Sequence, residues 1–356
     1  MNVALVHDYL VNRGGAERVV LALRRAWPDA PIFTSVAHLD ATFPDFADAD
    51  IRTSRLQRLS RSPATFRRLL PLYPAAFRAL RIEGFDVVVS SSAGFAHHVR
   101  PRGARHIVYC HAPPRFLWDE RYDHAAVSPG WAQPLLPAAL AALRRRDRRA
   151  AARADRYVAN GERTRLAIAR VYARDATVVH PPVEVDRFTI GSGAGEHHLV
   201  VGRLMPHRNH ELAVLAFTRM QRRLIVVGDG PNAQALRALA GPTIEFRGAI
   251  DDDELHELYA SARGLVVPGE EDFGIAPLEA NASGRPVVAL GVGGATETIV
   301  DGVTGVLFRD ETPEALAGAV ERADGIAFEP ARLRGHADRF DISVFVAAMR
   351  TLVEGQ

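Results

Sequence analysis

Short apolar runs alternate along this chain with longer stretches whose apolar residues recur at helical spacing. Val3–Val6, Pro31–Ser35, Asp86–Ser90, His106–Cys110 and Arg156–Ala159 read as buried strands. Between them lie helical stretches over about Ala16–Trp27 and Leu135–Arg153. The alternation starts again in the second half. Strands are expected at Leu199–Val201, Leu224–Val227, Thr243–Phe246, Gly264–Val267 and Pro286–Ala289. Helices are expected at about His210–Gln221, Asp252–Ala262 and Ile275–Ala282. Strand and helix in alternation predict parallel α/β sheets. The stretch Ile190–Glu196 has glycine and serine but no apolar period, and reads as a linker. The expected layout is an N-terminal domain over 1–190, a second domain over 191–340, and a terminal helix over 341–356 that packs back on the first.

Composition adds limits. The 356 residues are 47% hydrophobic and 24% charged, which suits a folded protein of two domains. Cys110 is the sole cysteine, so no intrachain disulfide can form. All 44 basic residues are arginine. Without lysine the chain cannot be a P-loop NTPase, form a pyridoxal-phosphate Schiff base, or act as a lysine-dependent aldolase. Residues 1–190 carry 29 Arg against 18 acids, and the remainder 15 against 24, so the halves differ in sign. The first ten residues lack the basic flank and length of a signal peptide, and no apolar run of about 20 residues could span a bilayer. A cytoplasmic protein is expected, peripheral at most on the inner face of a membrane.

Four constellations carry candidate chemistry. Glu271-Asp272-Phe273-Gly274-Ile275 opens a helix after a buried strand, with Glu279 about a turn inside it. Two carboxylates can reach hydroxyls of one ligand, and helix-start amides suit an anion. A capped helix behind a surface acidic loop fits the spacing equally well. Arg203 and Arg208 follow a strand end, where doubly wound sheets bind ligands, and forked donors suit a diphosphate. In so arginine-rich a chain they also read as solvated side chains. Gly14-Gly15 lies between the first strand and first helix, but without the full G-x-G-x-x-G fingerprint it fits a plain turn as well. His111 stands just past a strand end, a place suited to function, although a lone histidine is commonly structural. The pairs His97-His98 and His197-His198 lack metal-site spacing and are read as surface. Asp251–Glu254 is read as a helix cap, and the isolated Asp48-Ala49-Asp50 is not read as a metal site.

Together the segments GGAE at 14–17, YCHAPPRFLWD at 109–119, HPPVEVDRF at 180–188, GRL at 202–204, VVGDGP at 226–231, EEDFGIAPLEANASGRPVVA at 270–289 and GGATETIVDGVTGVLF at 293–308 resemble the family-4 glycosyltransferases. The resemblance runs over nearly the whole chain, in the family's order. It implies the GT-B fold, two Rossmann-like domains facing across a cleft that closes over the donor. It also implies a retaining transfer of a hexose from a nucleoside-diphosphate sugar, with no cofactor and no metal. Carried over by position, Gly14 and Gly15 approach the donor diphosphate, and Arg203 and Arg208 hold it. Glu271 contacts the donor sugar, and Phe273, Gly274 and Ile275 line the donor site, the last two through backbone N–H groups. Glu279 binds the ribose, and His111 sits beside the reacting sugar. The family usually has lysine where this chain has Arg208; arginine keeps the charge, gains a fork and is bulkier. The first and third segments are most similar to bacterial mannosyltransferases of surface-polysaccharide synthesis, which makes GDP-mannose the expected donor.

Between Arg52 and Arg81 stand eight arginines and no acid, interleaved with Phe66, Leu69, Leu70, Leu72, Tyr73 and Phe77. This is expected to dock on an anionic membrane surface and meet a lipid-linked or glycan acceptor. No nucleic-acid motif accompanies the charge. A nucleotide-sugar epimerase of the same architecture would turn over donor without acceptor, and a nucleotide-sugar sensor would bind without turnover.

Overall fold

The structure, a computed structural model, describes residues 1–119, 122, 130–193 and 195–355. The chain divides into two compact units, Met1–His180 with Phe345–Gln356, and Pro181–Val344.

The strands of the first unit are Val3–His7 (β1), Ile32–Thr34 (β2), Ile51–Thr53 (β3), Val87–Ser92 (β4), Arg105–Cys110 (β5), Arg156–Ala159 (β6) and Ala176–Val178 (β7). They form one parallel sheet in the order β3-β2-β1-β4-β5-β6-β7. Its helices are Gly15–Ala26 (α1), Tyr73–Ala79 (α2), Arg115–Trp118 (α3), Leu136–Ala151 (α4) and Glu162–Tyr172 (α5).

In the second unit the strands are His197–Val201 (β8), Arg223–Val227 (β9), Ile244–Gly248 (β10), Gly264–Val267 (β11), Val287–Leu290 (β12) and Gly305–Phe308 (β13). Their order is β10-β9-β8-β11-β12-β13, again all parallel. The helices are His210–Met220 (α6), Ala233–Leu239 (α7), Asp252–Ser261 (α8), Ile275–Ala282 (α9), Ala295–Thr298 (α10), Pro313–Asp324 (α11) and Pro330–Ala337 (α12). A last helix, Ile342–Glu354 (α13), ends the chain.

Each sheet is covered on both faces, which is why its strands read as unbroken apolar runs. In the second unit Leu199, Ile225, Leu265, Val267, Val287 and Ala289 enter one core. Their neighbours Val200, Leu224, Val226, Val266 and Val288 enter the other, as the two-residue period of a strand requires. Chain order reverses at β1/β4 and at β8/β11. Carboxyl ends of strands at such points are where open α/β sheets bind ligands.

The division falls at 180/181, not at 190, because Val183, Val185 and Phe188 are buried in the second unit's core. The glycine-rich stretch after 190 is no free spacer. Gly191 N donates to Ser283 O, and a Cβ on Gly191 or Gly195 would collide with the backbone at Ala260 or Ser261. Ala194 of that stretch lies outside the described residues. The carboxyl-terminal part of α13 belongs to the first unit. There Arg105 Nη2 donates to Val353 O (2.6 Å), Arg350 Nη2 donates to Ala26 O (2.7 Å), and the Phe345 ring meets Tyr109 edge-on.

Candidate functional site

In the second unit the structure brings Arg208 and Glu271 together. Both follow strand ends at the reversal point, Arg208 after β8 and Glu271 after β11. Arg208 Nη1 donates to Glu271 Oε1, with the arginine side chain 32% and the glutamate 15% exposed. Val200, Val201, His210, Val266, Val267, Pro268 and Gly269 complete a small pocket around the pair. Gly269 is there because the chain passes too close for a side chain: its Cβ would fall 2.3 Å from Arg208 O. Gly294 N donates to Glu271 O (2.9 Å) and fixes the glutamate backbone.

Gly274 opens α9 at φ 92°, a left-handed conformation that glycine adopts without strain. Gly274 has no side chain to offer as a cap, and the first amides of such a helix start suit an anionic group. Glu279, one turn into α9, is buried, and its Oε2 accepts from Tyr259 OH (2.9 Å). The Phe273 ring is buried against Phe340 in the core, which leaves its main chain at the head of α9. Ile275 is partly buried on the same core. Arg203 is exposed on the loop after β8 and does not line the Arg208–Glu271 pocket. The arrangement offers a guanidinium for an anion, a carboxylate for hydroxyls and helix-start amides.

The first unit holds the other predicted residues. Gly14 caps α1, and Gly15 is its first, exposed residue. A Cβ on Gly14 would lie 2.7 Å from Glu17 Oε2, so the glutamate side chain would have to shift to admit one. Glu17 is buried, accepts from Asn12 Nδ2 (2.9 Å), and lies 3.8 Å from His7 Nε2. His111 follows β5; its Nε2 hydrogen-bonds Ser91 Oγ (2.8 Å), and its backbone N donates to Ser92 O (2.8 Å). Burial, with a smaller contribution from His7, pushes the His111 imidazolium down to a pKa of about 3, so the ring is neutral at ordinary pH.

Several residues at these strand ends escaped the sequence reading. Asp8, at the end of β1, is buried and accepts four backbone N–H groups, from Ala93 (2.6 Å), Gly94 (2.8 Å), Phe95 (2.6 Å) and Ala96 (2.7 Å). It ties β1 to the loop after β4. The three serines ending β4 each meet a histidine: Ser90 with His106, Ser91 with His111, and Ser92 with His97. A polar triplet closing an otherwise apolar strand was the signal available for them.

His97 and His98 are buried, not on the surface as expected. The fold needs them as donors to Asp147, which has no exposed surface. Asp147 Oδ1 meets His97 Nε2 (3.0 Å) and His98 Nε2 (3.0 Å), and Oδ2 accepts from Trp118 Nε1 (2.7 Å) and Tyr172 OH (2.8 Å). Burial alone would raise the Asp147 carboxyl; the charge and hydrogen bonds of the histidines outweigh it and hold it below the usual range. The two histidines and the aspartate lie close enough for a cation, but four donors already fill the carboxylate. The cluster anchors α3 to α4 and α5. His197 and His198 are likewise buried, as part of β8, because both faces of that sheet are covered. Asp48 pairs with Arg24 and Asp50 with Arg52, and Asp251 caps α8 by accepting from Glu254 N.

The basic stretch 52–81 is also corrected. Tyr73 and Phe77, expected at a lipid interface, are buried in the first unit's core, while Leu69 and Leu70 pack partly against it. The Phe66 side chain lies outside the described residues. Arg52, Arg55, Arg58, Arg61 and Arg81 remain exposed, with Leu59 and Leu72. Among the described residues no helix is long and apolar enough to cross a membrane.

Comparison with known proteins gives two consecutive family matches. A model described as Glycosyltransferase Family 4 covers residues 13–187, and one described as Glycosyl transferases group 1 covers 195–323. The chain is 33% identical over 227 residues to a D-inositol 3-phosphate glycosyltransferase of Acidothermus cellulolyticus, spanning 53% of this chain and 50% of that protein. It is 31% identical over 194 residues to a GDP-mannose-dependent alpha-(1-6)-phosphatidylinositol monomannoside mannosyltransferase of Mycobacterium tuberculosis, spanning 46% and 50%. The chain thus spans about half the length of these curated relatives. Among solved structures, Anabaena HepE in complex with UDP and glucose superposes with a TM-score of 0.74 at 17% identity, over 100% of both chains. A sucrose-phosphate synthase of Thermosynechococcus elongatus superposes with 0.76 at 19%, over 99% of this chain and 98% of that one. Likenesses at that identity speak for the fold alone. Two parallel sheets of this strand order, two family matches in sequence and whole-length superposition agree: the chain belongs to glycosyltransferase family 4 and has the GT-B fold.

Proposed function

We propose that the protein transfers a hexosyl group from a nucleoside-diphosphate sugar to a glycan or lipid-linked acceptor, with retention of anomeric configuration and without a divalent metal. The observation that carries this reading is the Arg208–Glu271 pair beside the glycine-headed start of α9, at the carboxyl ends of β8 and β11. Glycosyl transfer needs a leaving diphosphate whose growing charge is met by fixed donors. Arg208 and the α9 amides suit that role, each worth roughly 3–4 kcal/mol when dry and preorganised, and exposed Arg203 stands on the same loop after β8. Glu271 accepts from sugar hydroxyls and orients the ring, which is positioning and not acid catalysis. Glu279, steadied by Tyr259, suits the ribose hydroxyls. His111, neutral and partly exposed, suits the reacting sugar. With no divalent cation, all the charge stabilisation falls to these groups.

GDP-mannose is the donor we favour, supported by the mannosyltransferase relative, whose printed name specifies GDP-mannose. A cytoplasmic, membrane-peripheral location belongs to the same proposal. Exposed Arg55, Arg58, Arg61 and Arg81 with Leu59 and Leu72 suit anionic lipid. Liposome flotation without preference for anionic vesicles would remove that part. The main test is a panel of GDP-, UDP- and ADP-sugars scored by melting-point increase and by diphosphate release. One donor should raise the melting point, and Glu271→Ala and Arg208→Ala should each lose transfer of its sugar. Near-normal transfer in both variants would defeat the assignment, and turnover of donor alone would make the protein an epimerase.

A further inference from the structure

We infer that His7 and Ser91 fix the tautomer of His111, so that His111 presents its Nδ1–H as a hydrogen-bond donor. This rests on the proposed placement of His111 beside the reacting sugar, and adds positioning residues to it.

His7 Nδ1 lies 3.2 Å from the backbone carbonyl oxygen of Ser91 and 3.2 Å from Ser91 Oγ. A carbonyl oxygen can only accept, so Nδ1 of His7 carries a proton, whether the ring is neutral or charged. The same proton is shared with Ser91 Oγ, which therefore accepts on that side. The single hydroxyl proton of Ser91 is then available to the opposite partner, His111 Nε2, 2.8 Å away. Nε2 of His111 accepts it. Since the His111 ring is neutral, its one proton sits on Nδ1.

The chain is buried at its supporting end. Ser91 and His7 are enclosed in β4 and β1, and Glu17 and Asn12 continue the line behind His7. Asp8 fixes the loop that follows Ser91. The charged and titratable groups packed around His7 and His111 are Glu17, Tyr9 and Tyr109. Tyr109 OH donates to Val179 O (2.9 Å) and so has no proton to offer His111. His111 is further held by Thr164 Oγ1, which donates to its carbonyl oxygen (3.1 Å). With Nε2 held by Ser91 Oγ, the other ring nitrogen, Nδ1, is the donor. That suits an oxygen acceptor on the sugar or an oxygen bearing charge, and does not suit a base that takes a proton.

The test has a readout independent of transfer. Long-range proton–nitrogen NMR of the imidazoles in the full-length chain should show His111 as the Nδ1–H tautomer at pH 7. In Ser91→Ala the Nε2–H form should appear. Transfer kinetics should show kcat down roughly ten- to a hundredfold with the donor KM little changed. His7→Phe should act in the same direction. His7→Asn, whose side-chain amide can stand where Nδ1–H stood, should recover most of the loss. An Nε2–H tautomer in the unaltered protein, or a tautomer indifferent to Ser91→Ala in a chain of native melting point, would overturn the inference. If the tautomer behaves as stated but no sugar is transferred, the functional reading fails and the positioning chain stands.

Discussion

Gly269→Ala tests whether backbone placement holds the Arg208–Glu271 pair. The new Cβ would lie 2.3 Å from the carbonyl oxygen of Arg208, 2.5 Å from its carbonyl carbon and 3.0 Å from its Cα. Ordinary van der Waals contact starts at 3.4 Å, so one of the two segments must recede by about 1 Å. All three atoms are main chain, so no rotamer change relieves the overlap. Overpacking of this kind typically costs about 1–3 kcal/mol. In a unit the size of Pro181–Val344 each kcal/mol lowers Tm by roughly 2–4 °C, so a fall of about 2–12 °C is expected. The effect on rate should be larger. A displacement of about 1 Å in a group that positions the substrate can cost on the order of a hundredfold. The assay is nucleoside-diphosphate release at saturating donor, run beside a circular-dichroism melt. The expected result is kcat down about a hundredfold at a temperature where the variant is still folded. A variant within about 1 °C of the native Tm and within about threefold of its kcat would refute the reasoning, since the close approach would then constrain nothing.

Other outcomes follow from the same geometry. Arg208→Ala should lower kcat by roughly 10²–10³, while Arg208→Lys, which keeps the charge, should stay within about tenfold of the native chain; equal losses in both would show that the fork and not the charge matters. Tyr259→Phe should raise the donor KM a few-fold with kcat nearly constant, because it frees Glu279 without touching the leaving group; a pure kcat effect in steady-state kinetics would contradict that. Asp147→Ala leaves four donors, three of them buried, without their acceptor and should cost about 3–5 kcal/mol, seen as a fall of roughly 10 °C or more in Tm; a fall under about 3 °C would mean that water replaces the carboxylate. His98 and His198, held near pKa 4, and His106 and His111, near 3, stay neutral when folded but take up protons near 6.5 when unfolded. The unfolded state thus binds more protons between about pH 6.5 and 4, and stability should fall with falling pH by about 1.4 kcal/mol per unit for each histidine. Denaturant unfolding that is flat from pH 6.5 to 4.5 would count against those burials.

Much of the fold was legible because buried parallel strands announce themselves. Val87, Val88 and Val89, or Leu265, Val266 and Val267, have no polar position because helices cover both faces. The strand-end positions of Arg208, Glu271 and Gly274, on which the proposed site is built, were legible in sequence. What escaped was burial of polar groups. His97 and His98 carry no mark in sequence that separates a satisfied interior histidine from a solvated one, because their acceptor is remote: Asp147 stands about fifty residues away. Tyr73 and Phe77 were misplaced for a related reason. Aromatics among arginines look interfacial until the tertiary core claims them, and here Arg55, Arg58, Arg61 and Arg81 are exposed while the Tyr73 and Phe77 rings are buried.

The carboxyl end of β4 shows how the interior polarity and the candidate site are one arrangement. Along a strand successive side chains point to opposite faces, so Ser90 and Ser92 share one face and Ser91 takes the other. Ser90 and Ser92 spend their hydroxyls on His106 and His97, and through His97 on the Asp147 cluster that anchors α3. Ser91 faces His7 and His111 instead. Apolar residues at 90 and 92 would leave two buried imidazoles short of partners and loosen α3, which directly follows the His111 loop. An apolar residue at 91 would leave the core intact and remove only what orients His111. A buried strand therefore ends in three polar residues for two separable reasons, stability on one face and ring orientation on the other. Ser90→Ala should lower Tm more than it lowers kcat, and Ser91→Ala should do the reverse.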